Sequence, residues 1–124
     1  MIRKRIVSLM VAGLATVGVA GALPLVTAAP AQAAIIPGLC EYTSSEPQLS
    51  YAPSAYKVAV KQAQCELNFA MTGDNLSLDG YFGSNTRAAV VRFQRCVGID
   101  DDGIIGPITW SRLNYWAGSS AYAC

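Results

Sequence analysis

The octapeptide Asp79-Gly80-Tyr81-Phe82-Gly83-Ser84-Asn85-Thr86 returns 23 residues later as Asp102-Gly103-Ile104-Ile105-Gly106-Pro107-Ile108-Thr109. Both copies keep the frame Asp-Gly-x-apolar-Gly-x-x-Thr, and the register continues into Val90 opposite Leu113. Each copy reads as a tight turn that launches a helix. Asp hydrogen-bonds its own backbone, and the Gly after it tolerates positive φ. Phe82 and Ile105 can pin the two turns to a core. Gly83 and Gly106 then fall at helix N-caps, and Pro107 falls at a first helical position, which suits proline. A chain of 124 residues that carries this unit twice is constrained to short helices joined by structured corners.

Residues 1–33 stand outside the fold argument. Arg3, Lys4 and Arg5 begin a basic segment, an apolar run follows from Ile6 to Val26, and Ala31-Gln32-Ala33 closes it as an A-x-A cleavage pattern. The expectation is a signal peptide that is removed, leaving 91 residues from Ala34 and no membrane attachment. The removed part carries three of the nine basic residues and none of the eight acids, so the remainder has a net charge of −2. A mildly acidic chain of this kind lacks the electrostatic footprint for nucleic acid. It has room for one small domain, which buries a modest core and gains from covalent staples.

Four cysteines can supply those staples. Cys40, Cys65, Cys96 and Cys124 all follow the signal segment, are even in number and belong to an exported chain. Zinc is disfavoured, because there is no C-x-x-C pair and no His. Three pairings are possible. The expected one is Cys65–Cys96 between two helices and Cys40–Cys124 joining the ends, since termini of compact domains often lie close.

Residues 34–53 carry Pro37, Pro47 and Pro53 and read as an irregular arm, ahead of a helical domain over 54–124. Ser54 is the expected cap of a first helix running to about Met71, with Tyr56, Val60, Ala63, Leu67 and Met71 on one apolar face. A second helix is expected over about 84–96, with Ala89, Val90, Phe93 and Val97 inward and Arg87, Arg92 and Arg95 elsewhere. A third starts at Pro107 and carries Ile108, Trp110, Leu113 and Trp116, followed by a loose tail. The fold class is therefore all-α: a small, disulfide-stapled three-helix bundle with two D-G-x-x-G-x-x-T turn-helix repeats.

These stretches together resemble the three-helix peptidoglycan-binding domain found beside bacterial cell-wall hydrolases. The resemblance rests on Val60-Lys61-Gln62-Ala63-Gln64-Cys65-Glu66-Leu67, on Asp79 to Thr86, on Ala89-Val90-Val91-Arg92-Phe93-Gln94, and on Asp102 to Leu113. It implies a non-catalytic module that holds peptidoglycan, without a cofactor and as a monomer. The alternative it allows is an interaction protein that docks on or regulates a cell-wall hydrolase.

The residues themselves offer no catalytic set. Without His there is no Ser-His or Cys-His pair. A glycosidase needs two carboxylates across a cleft, whereas Asp79 and Asp102 have turn duties and Glu66 lies on a helix. The run Asp100-Asp101-Asp102 lacks the twelve-residue spacing of a calcium loop and reads as a solvated turn. For a wall ligand the candidates sit on the turn rims. Tyr81 and Ile104 hold the outward positions, and Asn85 and Arg87 lie in the first turn of helix two, where an arginine can grip a carboxylate bidentately. Asp79, Gly80, Gly83, Thr86, Asp102, Gly103, Gly106 and Thr109 are assigned to the scaffold, with both threonines expected to bond the helix-start backbone. No residue set suggests a metal.

Overall fold

A computed structural model of the protein describes residues 39–124; the expected signal peptide and the first residues of the arm lie outside the described residues. The order is β1 (Ala52–Tyr56), α1 (Val58–Ala70), β2 (Tyr81–Phe82), α2 (Ser84–Val97) and α3 (Pro107–Gly118). Helices α2 and α3 form at the expected places, and α1 over the later part of its expected range, because each carries one apolar stripe. Val60, Ala63 and Leu67 of α1, Val90 and Phe93 of α2, and Trp110 and Leu113 of α3 meet in one core with Met71, Phe82 and Ile105. Helices α1 and α3 make the largest contact.

The all-α expectation needs correction. Strands β1 and β2 form a small antiparallel sheet, with Ala52 opposite Phe82 and Tyr56 opposite Tyr81. Its cause is local competition. Residues 52–56 stay extended to pair with the first turn, and the Lys57 N–H donates to the Gly80 carbonyl at 2.9 Å. Helix α1 therefore starts at Val58, not Ser54, and Tyr56 leaves the apolar face to stand 56% exposed. The arm also reaches the second turn. Leu49 and Ile105 exchange two backbone hydrogen bonds of 2.9 and 2.8 Å, and the Trp110 indole donates to the Pro47 carbonyl at 2.8 Å. The arm is thus a strap laid across both turns, with Leu49 buried in the core.

The cysteine pairing differs from the expected one. The bridges are Cys40–Cys65 and Cys96–Cys124, each with Cα atoms 5.9 Å apart. Cys65 turns toward the strap, not toward α2. The tail, expected to be loose, returns along the end of α1: Ala123 N–H donates to Ala70 O at 2.7 Å, and Thr72 N–H to Cys124 O at 2.9 Å. That return carries Cys124 to Cys96. Each bridge fastens a non-helical end to a helix.

Beneath the strap lies a buried polar cluster. Gln62 accepts the Tyr42 N–H at 2.9 Å and donates to Cys40 O at 3.0 Å and Glu66 Oε1 at 2.8 Å. The second Glu66 oxygen is buried with no partner among the described residues. Burial drives the Glu66 carboxyl from 4.5 up to about 7, opposed by the Gln62 hydrogen bond and helped by the nearby charge of Glu46. The folded pKa exceeds the unfolded one, so this group's stabilising contribution is complete below pH 4.5 and is lost as pH rises through 7. We expect Glu66→Gln to remove that loss. Urea unfolding should show the variant gaining on the wild type by about 3 kcal/mol between pH 4.5 and pH 8. A difference that stays flat over that range would contradict the assignment.

Candidate binding site

Each turn is built around a buried glutamine that the sequence shows only within the stretches carrying the family resemblance, with no role assigned. Gln64, on α1, donates from Nε2 to Asp79 Oδ1 at 2.9 Å, Tyr81 O at 3.1 Å and Thr86 Oγ1 at 3.1 Å, and its Oε1 accepts the Gly80 N–H at 3.0 Å. Gln94, on α2, donates to Asp102 Oδ1 at 3.0 Å, Ile104 O at 2.9 Å and Thr109 Oγ1 at 3.2 Å, and accepts the Gly103 N–H at 2.9 Å. The two aspartates close their own turns, accepting the Tyr81 and Ile104 N–H groups at 2.9 Å each. Tyr81's amide first, then Gln64, holds the Asp79 carboxyl below the usual carboxylate range. Thr86 and Thr109 accept from these glutamines, where a bond to the helix-start backbone was expected, and the Thr109 hydroxyl also donates to the Ile104 carbonyl in the turn at 3.5 Å. Gly83 and Gly106 are the N-caps of α2 and α3, as the frame implied, and no side chain caps either helix.

Both Asp-Gly glycines adopt left-handed φ, +77° at Gly80 and +73° at Gly103. Gly80 is further constrained by close approach. A Cβ there would fall 2.4 Å from the Tyr56 ring. The missing side chain lets Tyr56 lie on the turn and meet Tyr81 edge-on, with ring centroids 5.8 Å apart.

The hubs hold the turns so that alternate residues point opposite ways. Phe82 and Ile105 are fully buried, while Tyr81 is 41% exposed. Tyr81 and Asn85 line one trough of about 780 Å³, together with residues 74–77, Ser84 and Arg92. Arg87 lines a neighbouring, more apolar depression with Tyr51, Ala88 and Val91, and the two depressions share Ser84, Ala88 and Arg92. The Arg87 stem lies against the second turn, 3.3 Å from where a Gly103 Cβ would stand. Ile104 is half-buried in a third depression with Gln48, Ile99 and Ile108. Of the four candidates, then, Tyr81 and Asn85 come together, while Arg87 and Ile104 face other hollows. Two aromatic residues near this surface have no site role in the sequence-based expectations: Tyr51 stands in the arm, and Tyr56 is expected on the apolar face of α1. Tyr51 lines the apolar depression and Tyr56 packs edge-on against Tyr81, and they are 52% and 56% exposed. Arg92 and Arg95, expected away from the apolar face of α2, are ion-paired to Asp74 at 2.9 Å and Asp101 at 2.6 Å. Among the described residues no group of acids and cysteines could hold a metal ion, and no helix is long and apolar enough to cross a membrane.

The family model described as "Putative peptidoglycan binding domain" matches residues 57–113, from the N-cap of α1 into α3, and so takes in both glutamine hubs. An uncharacterized protein in the bpoA1 3' region of Kitasatospora aureofaciens is 48% identical over 91 residues, which cover 72% of this chain and 75% of that protein. The zinc D-Ala-D-Ala carboxypeptidase of Streptomyces albus G is 45% identical over 56 residues, 44% of this chain but 22% of the enzyme. Among solved structures, a peptidoglycan-binding protein from Clostridioides difficile in complex with glutamine hydroxamate superposes with a TM-score of 0.52 at 38% identity, over 58% of this chain and 43% of that one. With a family match that runs from the start of α1 through both turns into α3, the chain belongs to the peptidoglycan-binding domain family.

Proposed function

We propose that this protein is a secreted, non-catalytic module that binds bacterial cell-wall peptidoglycan non-covalently, through the surface beside Tyr81 and Asn85. The carrying observation is that the family match spans the two glutamine hubs, which hold an exposed aromatic and an open trough at the first turn. The two D-G-x-x-G-x-x-T units then act as one repeated building block, over a domain at 54–124 preceded by the arm at 34–53 and a signal peptide at 1–33. Disulfides fit an exported chain acting outside the cytoplasm.

Absence of catalysis is supported by how the acids are employed. Glu66 is buried, Asp79 and Asp102 hold the turns, and Asp74 and Asp101 are paired with arginines. The chain has no His with which to repeat a histidine-ligated zinc centre, and its likeness to the carboxypeptidase covers a minor part of that enzyme. That likeness does favour one second reading. A segment related to this chain lies within a wall-acting enzyme, so docking on a cell-wall hydrolase in trans is the alternative role. Incubation with insoluble sacculi decides between them. We expect depletion of the monomeric protein from the supernatant without any hydrolase present; full recovery would favour the docking role.

A further inference from the structure

The trough beside Tyr81 has already spent most of its charge. Arg92 donates to Asp74 Oδ1 at 2.9 Å and to the Thr72 carbonyl at 2.8 Å. Asp79 accepts from Tyr81 N–H and from Gln64 and leaves a negative charge on the wall. The other polar side chains there are neutral. Asn75, Ser77, Ser84 and Asn85 make no side-chain hydrogen bond among the described residues. Arg87, which has no ion-pair partner among the described residues, lines the neighbouring depression instead.

This chemistry discriminates between the two halves of a peptidoglycan ligand. Stem peptides carry carboxylates, for which the trough offers only the uncapped amides at the start of α2, with Arg92 already committed to Asp74 and the Asp79 charge opposing them. The N-acetylated sugars of the strand carry hydroxyls and acetamido groups, which both donate and accept and so match free Asn and Ser side chains. Their rings also present apolar C–H faces, which suit the flat body of an exposed tyrosine whose hydroxyl stays in water. Tyr81 lines the trough and meets Tyr56 edge-on at 5.8 Å, and Tyr51 lines the neighbouring depression that shares Ser84, Ala88 and Arg92.

We propose that this trough takes the glycan strand, a chain of N-acetylated amino sugars, with Tyr81 and Tyr56 as the platform and Asn75, Ser77 and Asn85 as its hydrogen-bonding side chains. The inference rests on the wall-binding reading above and specifies its ligand.

A chemical-shift titration of the oxidised protein tests it, using a β-1,4-linked N-acetylglucosamine tetramer and, separately, a free stem tetrapeptide. The tetramer should move the amide signals of Asn75, Ser77, Tyr81 and Asn85, and the tetrapeptide should not. Tyr81→Ala should weaken tetramer binding about tenfold, with loss of an aromatic contact as the cause. Asn85→Ala, at an exposed helix position, should weaken it as well and guards against a misfolded Tyr81 variant. The inference is overturned if the tetrapeptide alone shifts these signals, or if both variants bind the tetramer as the wild type does. Retention on sacculi without any tetramer binding would overturn the glycan assignment and spare wall binding. Failure to bind sacculi as well would remove both.

Discussion

Replacing Gln64 or Gln94 with glutamate should destabilise the protein by at least about 4 kcal/mol at pH 7, a loss comparable with the whole stability of many small domains. The change keeps shape and volume and alters hydrogen bonding alone. In the wild type each Nε2 serves an aspartate oxygen, a backbone carbonyl and a threonine hydroxyl, while Oε1 takes the glycine N–H. A glutamate keeps the glycine bond and loses both donor hydrogens. It also sets a buried negative charge beside Asp79 or Asp102. Each buried acceptor left without a donor costs about 1–3 kcal/mol, and the unpaired charge adds to that. The new carboxyl should bind its proton more tightly folded than unfolded, so part of the lost stability should return on acidification. Urea unfolding of both variants at pH 7 and pH 4.5 measures this. Because the two hubs make matching contacts, the two losses should agree within about 1 kcal/mol, allowing for context. A loss below about 1 kcal/mol at either site would show that the glutamine does not organise its turn.

Those glutamines mark where the sequence stops being readable. The turns themselves were legible: Asp-Gly followed by alternating residues fixed Phe82 and Ile105 inward and Tyr81 outward, as found. Helical periodicity likewise located α2 and α3 to within a residue or two. The roles of Gln64 and Gln94 were hidden because a buried glutamine on a helix looks like an ordinary polar residue. Their partners also stand at unequal separations, 15 residues to Asp79 and 8 to Asp102. Tyr56 was misplaced for a different reason. Its spacing to Val60 fits a helix face, and only the pairing of Lys57 with Gly80, distant in sequence, keeps the segment extended. Tyr51 and Leu49 sit in a proline-flanked stretch with no periodicity to read, so neither the strap nor its aromatic rim could be placed. The candidate surface was half visible, through Tyr81 and Asn85; its remaining aromatics depend on the strap.

The cysteines admit the sharpest test, because the two pairings predict opposite rankings. With bridges at Cys40–Cys65 and Cys96–Cys124, the sequence separations are 25 and 28. Chain entropy then assigns about 3.5 kcal/mol to each closure. Removing Cys40 and Cys65 together, or Cys96 and Cys124 together, deletes one bridge and should cost about that amount. Removing Cys65 and Cys96 deletes both bridges and leaves two free thiols, at a cost of about 7 kcal/mol. A domain this small rarely holds such a reserve, so the last variant should be largely unfolded at 25 °C while the first two keep cooperative thermal transitions. Under the rival pairing the order inverts. Cys65 and Cys96 would form one bridge, and their joint removal would be the mild change. The structural consequences are separable too. Loss of Cys40–Cys65 frees the strap end that closes over Gln62 and Glu66, so hydrogen exchange should rise at Tyr42, whose amide Gln62 accepts. Loss of Cys96–Cys124 should leave Tyr42 protected and expose the Ala123 amide, which donates to the end of α1. Equal protection at both amides in the two variants would mean that the bridges do not fasten the ends as described.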